Sequence, residues 1–552
     1  MQHAHRASPE RRLPSTLKCE EPDVLNSLSK TLGGAALLCL CSCNSSNPLT
    51  PSGAGSDDID AIVNAAPCAR SSAPAAVGMP DEARIFGWVE YLVSLGNRRT
   101  GTVGGAKAAA YMKCQFESLG LQDVHYETAP AWKWEVSRSS LAVAGQSIDA
   151  FPMARTFVTR DTPAVFSTGA GGLNAEIVDI GLGTPAEIAL TDVEGKIVLF
   201  DLKFLVPTLG LAPLIEFFWD PGLTIADPAS LTANPFQTTA ASVLQGMVDA
   251  GAVGIVGVLA DYFDSNKYYN EQYHLDITIP GMWVSAKDGQ KIRELMSAAG
   301  GAPTANLVME GSQEPTIGRA VVGSLPGKSM DTILITSHHD AVWSGAVEDG
   351  TGAAGVLAQA QYFASKPADA REKTLLFATM DTHWAEYKVH KAFGEKYILN
   401  KETPYNIVGD VSIEHIGKQG IKDADGKLVI VDQPEYRGIF ENLGPTLKAT
   451  MINGMIKYDL RRMALLDATP LCGTVGIPTD AFSCVAGIPT ASLISGPNYL
   501  YDEADTLDKV DRTQLVPITQ FFAELIEAMD ATPSALIGVP VPPLSAAAPS
   551  AP

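Results

Sequence analysis

Four near-continuous apolar runs, each followed by a residue able to bind a metal or move a proton, constrain this chain more than any other feature. They are DTILITS (331–337), TLLFATM (374–380), NIVGDVSI (406–413) and IPTASLIS (488–495). Runs of this length without polar alternation suit parallel strands covered on both faces, because a strand with one wet face alternates. In open α/β sheets the functional groups gather beyond the carboxyl ends of such strands. His338 and Asp340 follow the first run, His383 the second and Glu414 the third, and Tyr501 lies just past the fourth. The expectation is an α/β fold with a metal or acid–base site at one edge of its sheet.

Each cluster alone has a bland explanation. A His-x-Asp such as His338-His339-Asp340 fits a solvated turn. Glu348-Asp349 before a helix complements the helix dipole. Glu414 is harder to dismiss, since an unpaired carboxylate at a buried strand end is costly. Taken together, imidazoles and carboxylates at neighbouring strand ends favour a metal site. Asp340 falls on the same side as His338 and suits the acceptor that fixes a ligating imidazole's tautomer.

The rest of the chain divides around this core. Residues 81–95 place Ile85, Trp88, Val89 and Leu92 at helical spacing, and a second helix is expected over 104–119, stopping at Gly120. The turn-rich 97–102 lies between them. From about 150 to 318 the pattern changes to glycine-rich turns and buried strands such as GKIVLFDL (195–202) and AVGIVGVLA (252–260). At the start, LGGAALLCL (32–40) is apolar over nine residues, long enough for a signal h-region and too short for a bilayer span. It runs into Leu40-Cys41-Ser42-Cys43, which resembles a bacterial lipobox with Cys43 as the lipidated residue. The expectation is an exported bacterial cell-envelope lipoprotein, touching the membrane only through its N-terminal lipid. The layout reads as signal region 1–43, flexible tether 44–79, core domain 80–150 and 319–530, insertion 151–318, and disordered tail 531–552.

Composition narrows the function classes. Lys and Arg number 40 against 62 Asp and Glu, a formal charge of −22 that repels phosphate backbones, so nucleic acid is not an expected partner. Of the eight cysteines, Cys68, Cys114, Cys472 and Cys484 remain unmodified after such processing. Cys472 and Cys484 are the pair most plausibly near each other, though spacing leaves the connectivity open. No Cys-x-x-Cys occurs among those four, which speaks against a cysteine zinc site.

These motifs resemble the M28 metallopeptidases, which have the zinc-aminopeptidase fold. Residues 81–130 resemble the family's opening helices, residues 319–528 the rest of its peptidase domain, and 151–318 the protease-associated (PA) domain that many members carry inserted. The resemblance implies a mixed, mostly parallel central sheet flanked by helices, of zinc-exopeptidase type, with a β-rich PA insertion. It also implies two zinc ions, but here the sequence departs from the family. His338 matches the first ligand, Glu348 falls on the bridging acid, and Glu414 on the acid of Asp-Met-Ile-Gly. The second ion's residues do not match: the family's general-base Glu becomes His383, its ligand Glu becomes Trp384, and its late His becomes Tyr501. An indole cannot bind zinc and a phenol is a poor ligand at neutral pH. The implied site is therefore mononuclear, with one divalent ion, zinc, on His338, Glu348 and Glu414, and with His383, Asp340 and Tyr501 as the catalytic set. Glu386 is an outside candidate for the missing acid. The implied activity is hydrolysis of peptide or amide bonds, aminopeptidase-like. The alternative is an inactive relative that uses the old cleft to bind a peptide or partner at the cell surface.

Overall fold

The structure, a computed structural model, describes residues 56–65, 77–205, 211–226, 234–270, 275–471, 482 and 486–540. The expected signal region and lipobox lie outside the described residues, as do Cys68, Cys472 and Cys484; Cys114 is disulfide-bonded.

The four apolar runs form four adjacent parallel strands. Lys373–Met380 pairs with Ser329–His338, which pairs with Asn406–Ile413, which pairs with Thr490–Ser495. Nearly every residue in them is buried, as the absence of alternation required. One flank continues through the antiparallel strands Thr304–Leu325 and Gln122–Val143. The other continues through Arg437–Glu441 and Met463–Asp467. This is the mixed, mostly parallel sheet expected. Helix Glu82–Ser94 is capped by Asp81, whose carboxylate accepts from the Arg84 amide, and it buries Ile85, Phe86, Trp88, Val89 and Leu92. Helix Val103–Ser118, capped by Thr102, ends before Gly120, which takes the left-handed conformation.

Residues 151–318 carry strands and helices of their own. Leu173–Asp179, Ile197–Asp201, Gly254–Leu259 and Gly281–Ser285 form a parallel sheet, with helices Ala240–Asp249 and Ala286–Ala299 between and after them. The 318/319 boundary falls inside one 22-residue strand, Thr304–Leu325. Its first residues pair with Leu173–Asp179 and its last with Lys373–Met380. The insertion also sends out an arm: Ile215–Trp219 leaves it to pair antiparallel with Met463–Asp467 at the sheet's far edge. That arm is tied down by Lys448, which reaches both Glu216 (2.6 Å) and the buried Glu441 (2.9 Å).

Two expected flexible segments carry structure. Within the tether, Ser56–Val63 is helical and Asp60 lies 3.6 Å from Arg319. At the start of the tail, Ile537 is fully buried and its carbonyl accepts from the Gly444 amide at 2.7 Å. Apolar side chains at both places find the core, which composition alone did not reveal.

Helix Thr351–Ala364 packs its N-terminus against the end of Asn406–Ile413. A β-carbon at Gly352 would collide with the Asp349 carboxylate and the Ile413 carbonyl. Gly352→Ala should therefore cost about 1–3 kcal/mol of stability, read as a lower denaturation midpoint with an unchanged slope.

Candidate metal centre

The loop after Ser329–His338 is held by one buried side chain. The Arg98 guanidinium donates to the carbonyls of His339 (3.0 Å), Ser344 (2.6 Å), Gly345 (2.9 Å) and Leu92 (3.2 Å), and its own amide donates to Ala341. Asp505 holds the next segment: it accepts from the amides of Val347 (2.9 Å) and Glu348 (2.8 Å). Asp349 accepts from the amides of Gly352 (2.9 Å) and His415 (3.2 Å) and from the Ser337 hydroxyl. The Glu348–Asp349 peptide is cis.

Through these contacts Glu348 is set between two imidazoles. His415 Nε2 is 2.6 Å from Glu348 Oε2, and His338 Nε2 is 3.3 Å from Glu348 Oε1. One ligand-capable atom each from His338, Glu348 and His415 lies within 4.8 Å of the others, and all three residues are buried. Neither Glu348 oxygen nor either Nε2 makes a contact of hydrogen-bond geometry. Buried nitrogens and carboxylate oxygens that converge this closely fit a shared cation. Two imidazoles and a carboxylate are also the donor set of common catalytic zinc sites. Each imidazole has its other nitrogen committed. His338 Nδ1 is 3.1 Å from Asp340 Oδ1, and His415 Nδ1 donates to the Ser495 carbonyl at 2.8 Å.

Not every expected residue joins this trio. Glu414 stays outside it, with Oε2 3.8 Å from His415 Nε2 and Oε1 accepting from the Ser412 hydroxyl at 3.3 Å. His415 enters instead. It sits just past a strand end with φ +54°, where strand alternation no longer decides which side a ring takes. The Glu414-His415 pair was the available signal, and the resemblance to the Asp-Met-Ile-Gly acid drew attention to only its first member. His383 stacks on His338 (centroids 3.9 Å), with its Nε2 3.7 Å from Glu348 Oε1 and 3.4 Å from Tyr387 Oη. Asp340 faces His338 Nδ1 with one oxygen, and its other oxygen accepts from the Trp384 amide. Tyr501 and Trp384 meet edge to face at 4.7 Å, both more than nine-tenths buried. The insertion closes over them: Phe236 packs on His415 and Tyr501, Tyr268 on Tyr501 and Tyr269 on Trp384. Glu386 is turned away, onto Arg155 (3.0 Å), Arg160 (3.4 Å) and Lys388 (3.1 Å).

Electrostatics bind the trio together. Burial works against charge on Glu348, yet His415 and His338 hold its carboxyl well below the usual range. Burial likewise opposes charge on His415, but Glu348 overrides it and pushes the imidazole up to about 9. His338 is also raised well above its ordinary value, burial being outweighed by Asp340 and Glu348. Burial pushes the Tyr501 hydroxyl well above its ordinary value, with Glu348 adding to the effect, so it remains a proton-bearing donor.

Residues 320–383 match the family model described as Peptidase family M28. Among solved structures the chain is similar to a Peptidase M28 precursor from Shewanella amazonensis, with TM-score 0.61 and 18% identity over 84% of this chain and 96% of that one. It is also similar to a zinc aminopeptidase from Bacillus subtilis (TM-score 0.56, 14% identity, 83% and 98% covered). An aminopeptidase from Aneurinibacillus sp. strain AM-1 gives a TM-score of 0.54 at 17% identity, with 84% and 97% covered. A search of the curated proteins finds no match. Identities at this level carry the fold. The M28 resemblance read from the sequence is supported by the family model over residues 320–383, and the chain has the mixed α/β fold of these zinc aminopeptidases.

A divalent ion needs bare nitrogens, whereas His415 in the ion-free site keeps its proton up to about pH 9. Binding must expel that proton, so affinity should rise with pH from neutral towards 9, about tenfold per unit for each proton displaced. Zinc calorimetry in two buffers of different ionisation enthalpy should register the release; equal heats in both would contradict it.

Proposed function

We propose that this protein is a metal-dependent hydrolase of peptide or amide bonds, aminopeptidase-like, working with a single ion. The observation that carries the reading is the buried convergence of His338, Glu348 and His415 in a fold shared with zinc aminopeptidases. Zinc is the ion best suited to two imidazoles and a carboxylate. When bound, it would polarise the scissile carbonyl and make the attacking water more acidic.

This chain's own residues do the rest. Asp340 holds His338 in the tautomer that turns Nε2 towards Glu348. Tyr501 keeps its proton and donates to the oxyanion that develops on the carbonyl. His383, against the ligand set on one side and Tyr387 on the other, carries a proton to the departing amine. Trp384 and Tyr501, which the resemblance aligns with the family's second-ion ligands, pack edge to face, which supports one ion rather than two. Aminopeptidases of the family anchor the substrate amine partly through the Glu-Glu pair that is missing here, so the reading extends to amide hydrolysis beyond strict N-terminal release. We place the activity at the bacterial cell envelope, on a chain anchored through Cys43; the disulfide at Cys114 suits an oxidising compartment.

A second reading, an inactive surface module that binds a peptide or partner, is favoured by the nearly complete burial of the ligand trio.

Metal analysis and a panel of aminoacyl and amide substrates separate the two. The first reading expects one equivalent of zinc and turnover, both abolished in His338→Ala. Asp340→Ala should weaken zinc binding by about 10–100-fold while the protein stays folded. No bound metal at saturating zinc would leave only the second reading.

A further inference from the structure

Hydrolysis of an amide needs a group that takes a proton from the attacking water, and the family's glutamate for this task is absent. We propose that Glu414 is that group, a general base beside the ligand trio rather than a member of it. The inference rests on the metallopeptidase reading above.

Most of the buried carboxylates around the site are engaged elsewhere. Asp340 is shared between His338 and the Trp384 amide. Asp349 ties together Ser337, Gly352 and His415. Asp505 holds the Val347 and Glu348 amides, and Asp381 accepts from the Arg319 amide at 2.6 Å. Glu386 is ion-paired with Arg155, Arg160 and Lys388. Glu414 differs in direction: its Oε2 faces the nitrogen that His415 presents to the trio, at 3.8 Å.

The spacing suits a base better than a ligand. Donor atoms about 2.0–2.2 Å from a common zinc all lie close to one another. Glu414 stays outside the group whose atoms fall within 4.8 Å of each other, yet remains next to one of them. A proton acceptor belongs in that outer position, one hydrogen bond beyond a water in the open site. The chain makes the arrangement easily. After the strand Asn406–Ile413, the left-handed turn at His415 lets two consecutive side chains address one point. Ser412 restrains the glutamate by donating to its other oxygen.

The step balances without any co-reactant. The water oxygen forms a bond to the carbonyl carbon as Glu414 Oε2 takes its proton. The tetrahedral species then expels the amine: the C–N bond breaks and the nitrogen takes a proton from His383. Glu414 returns its proton to solvent and His383 regains one. The acid and base thus flank the trio, His383 on the His338 side and Glu414 on the His415 side.

The test compares Glu414→Gln and His415→Ala in the purified protein, with two independent readouts. Calorimetry with zinc alone measures the site, and steady-state kinetics on an amide substrate measures the reaction. Glu414→Gln should bind zinc within about threefold of the parent and keep its KM, while kcat falls about 10²–10⁴-fold. His415→Ala should lose zinc. If Glu414→Gln loses zinc as His415→Ala does, the glutamate is a ligand and the proposal fails. If it keeps both zinc and kcat, the base lies elsewhere and the proposal also fails. A parent protein that binds no zinc fails in a different way and removes the metallopeptidase reading itself, and the proposal with it.

Discussion

A carboxylate with almost no access to water sits between two imidazoles, and most of the architecture near the sheet edge answers to that burden. Leaving Glu348 charged at this depth would cost several kcal/mol without compensation. His415 and His338 supply it, and their protonation in turn is sustained by the same carboxylate. None of the three tolerates burial alone, so their mutual placement has to be accurate. Accuracy comes from residues that never enter the cluster: Asp505 through two amides, Asp349 through two amides and a hydroxyl, and Arg98 through four carbonyls. A second layer of buried charge therefore positions the first. Burial presses on this layer too, pushing Asp505 up to about 7 and Arg98 down to about 10.

What could be read in the sequence follows from the range of the forces involved. The four parallel strands were legible because a strand buried on both faces writes its environment into consecutive residues. The two opening helices were legible because apolar spacing and the stop at Gly120 act within a turn of themselves. Asp340 behind His338 was legible for the same reason, being two residues away. Features built across long separations were not. The arm Ile215–Trp219 reads as an apolar segment of the insertion, and nothing local says that its partner is Met463–Asp467. The 318/319 boundary runs through one strand, Thr304–Leu325, that serves both Leu173–Asp179 and Lys373–Met380, a division that pairing across long separations makes and local sequence does not mark. His415 escaped because a single backbone angle, not its neighbours' identities, turns it towards the site.

An aromatic cluster stands beside the trio. Trp384 and Tyr501 lie edge to face, and Phe236, Tyr268 and Tyr269 reach over them from the insertion. Aromatic packing there does more than fill a vacancy. It walls that side of the trio with apolar rings. A drier surrounding strengthens each remaining electrostatic interaction. In the mechanism proposed here, that strengthening lets one ion, one phenol donor and an acid–base pair carry a reaction the family divides between two ions. Residues 151–318 are held at two further places: Ile215–Trp219 lies on the far sheet edge, and the Tyr269 amide donates to the Tyr501 carbonyl at 2.9 Å. A wall that sets the local dielectric cannot be loosely held, because water admitted beside Glu348 would weaken the attraction that keeps the trio assembled.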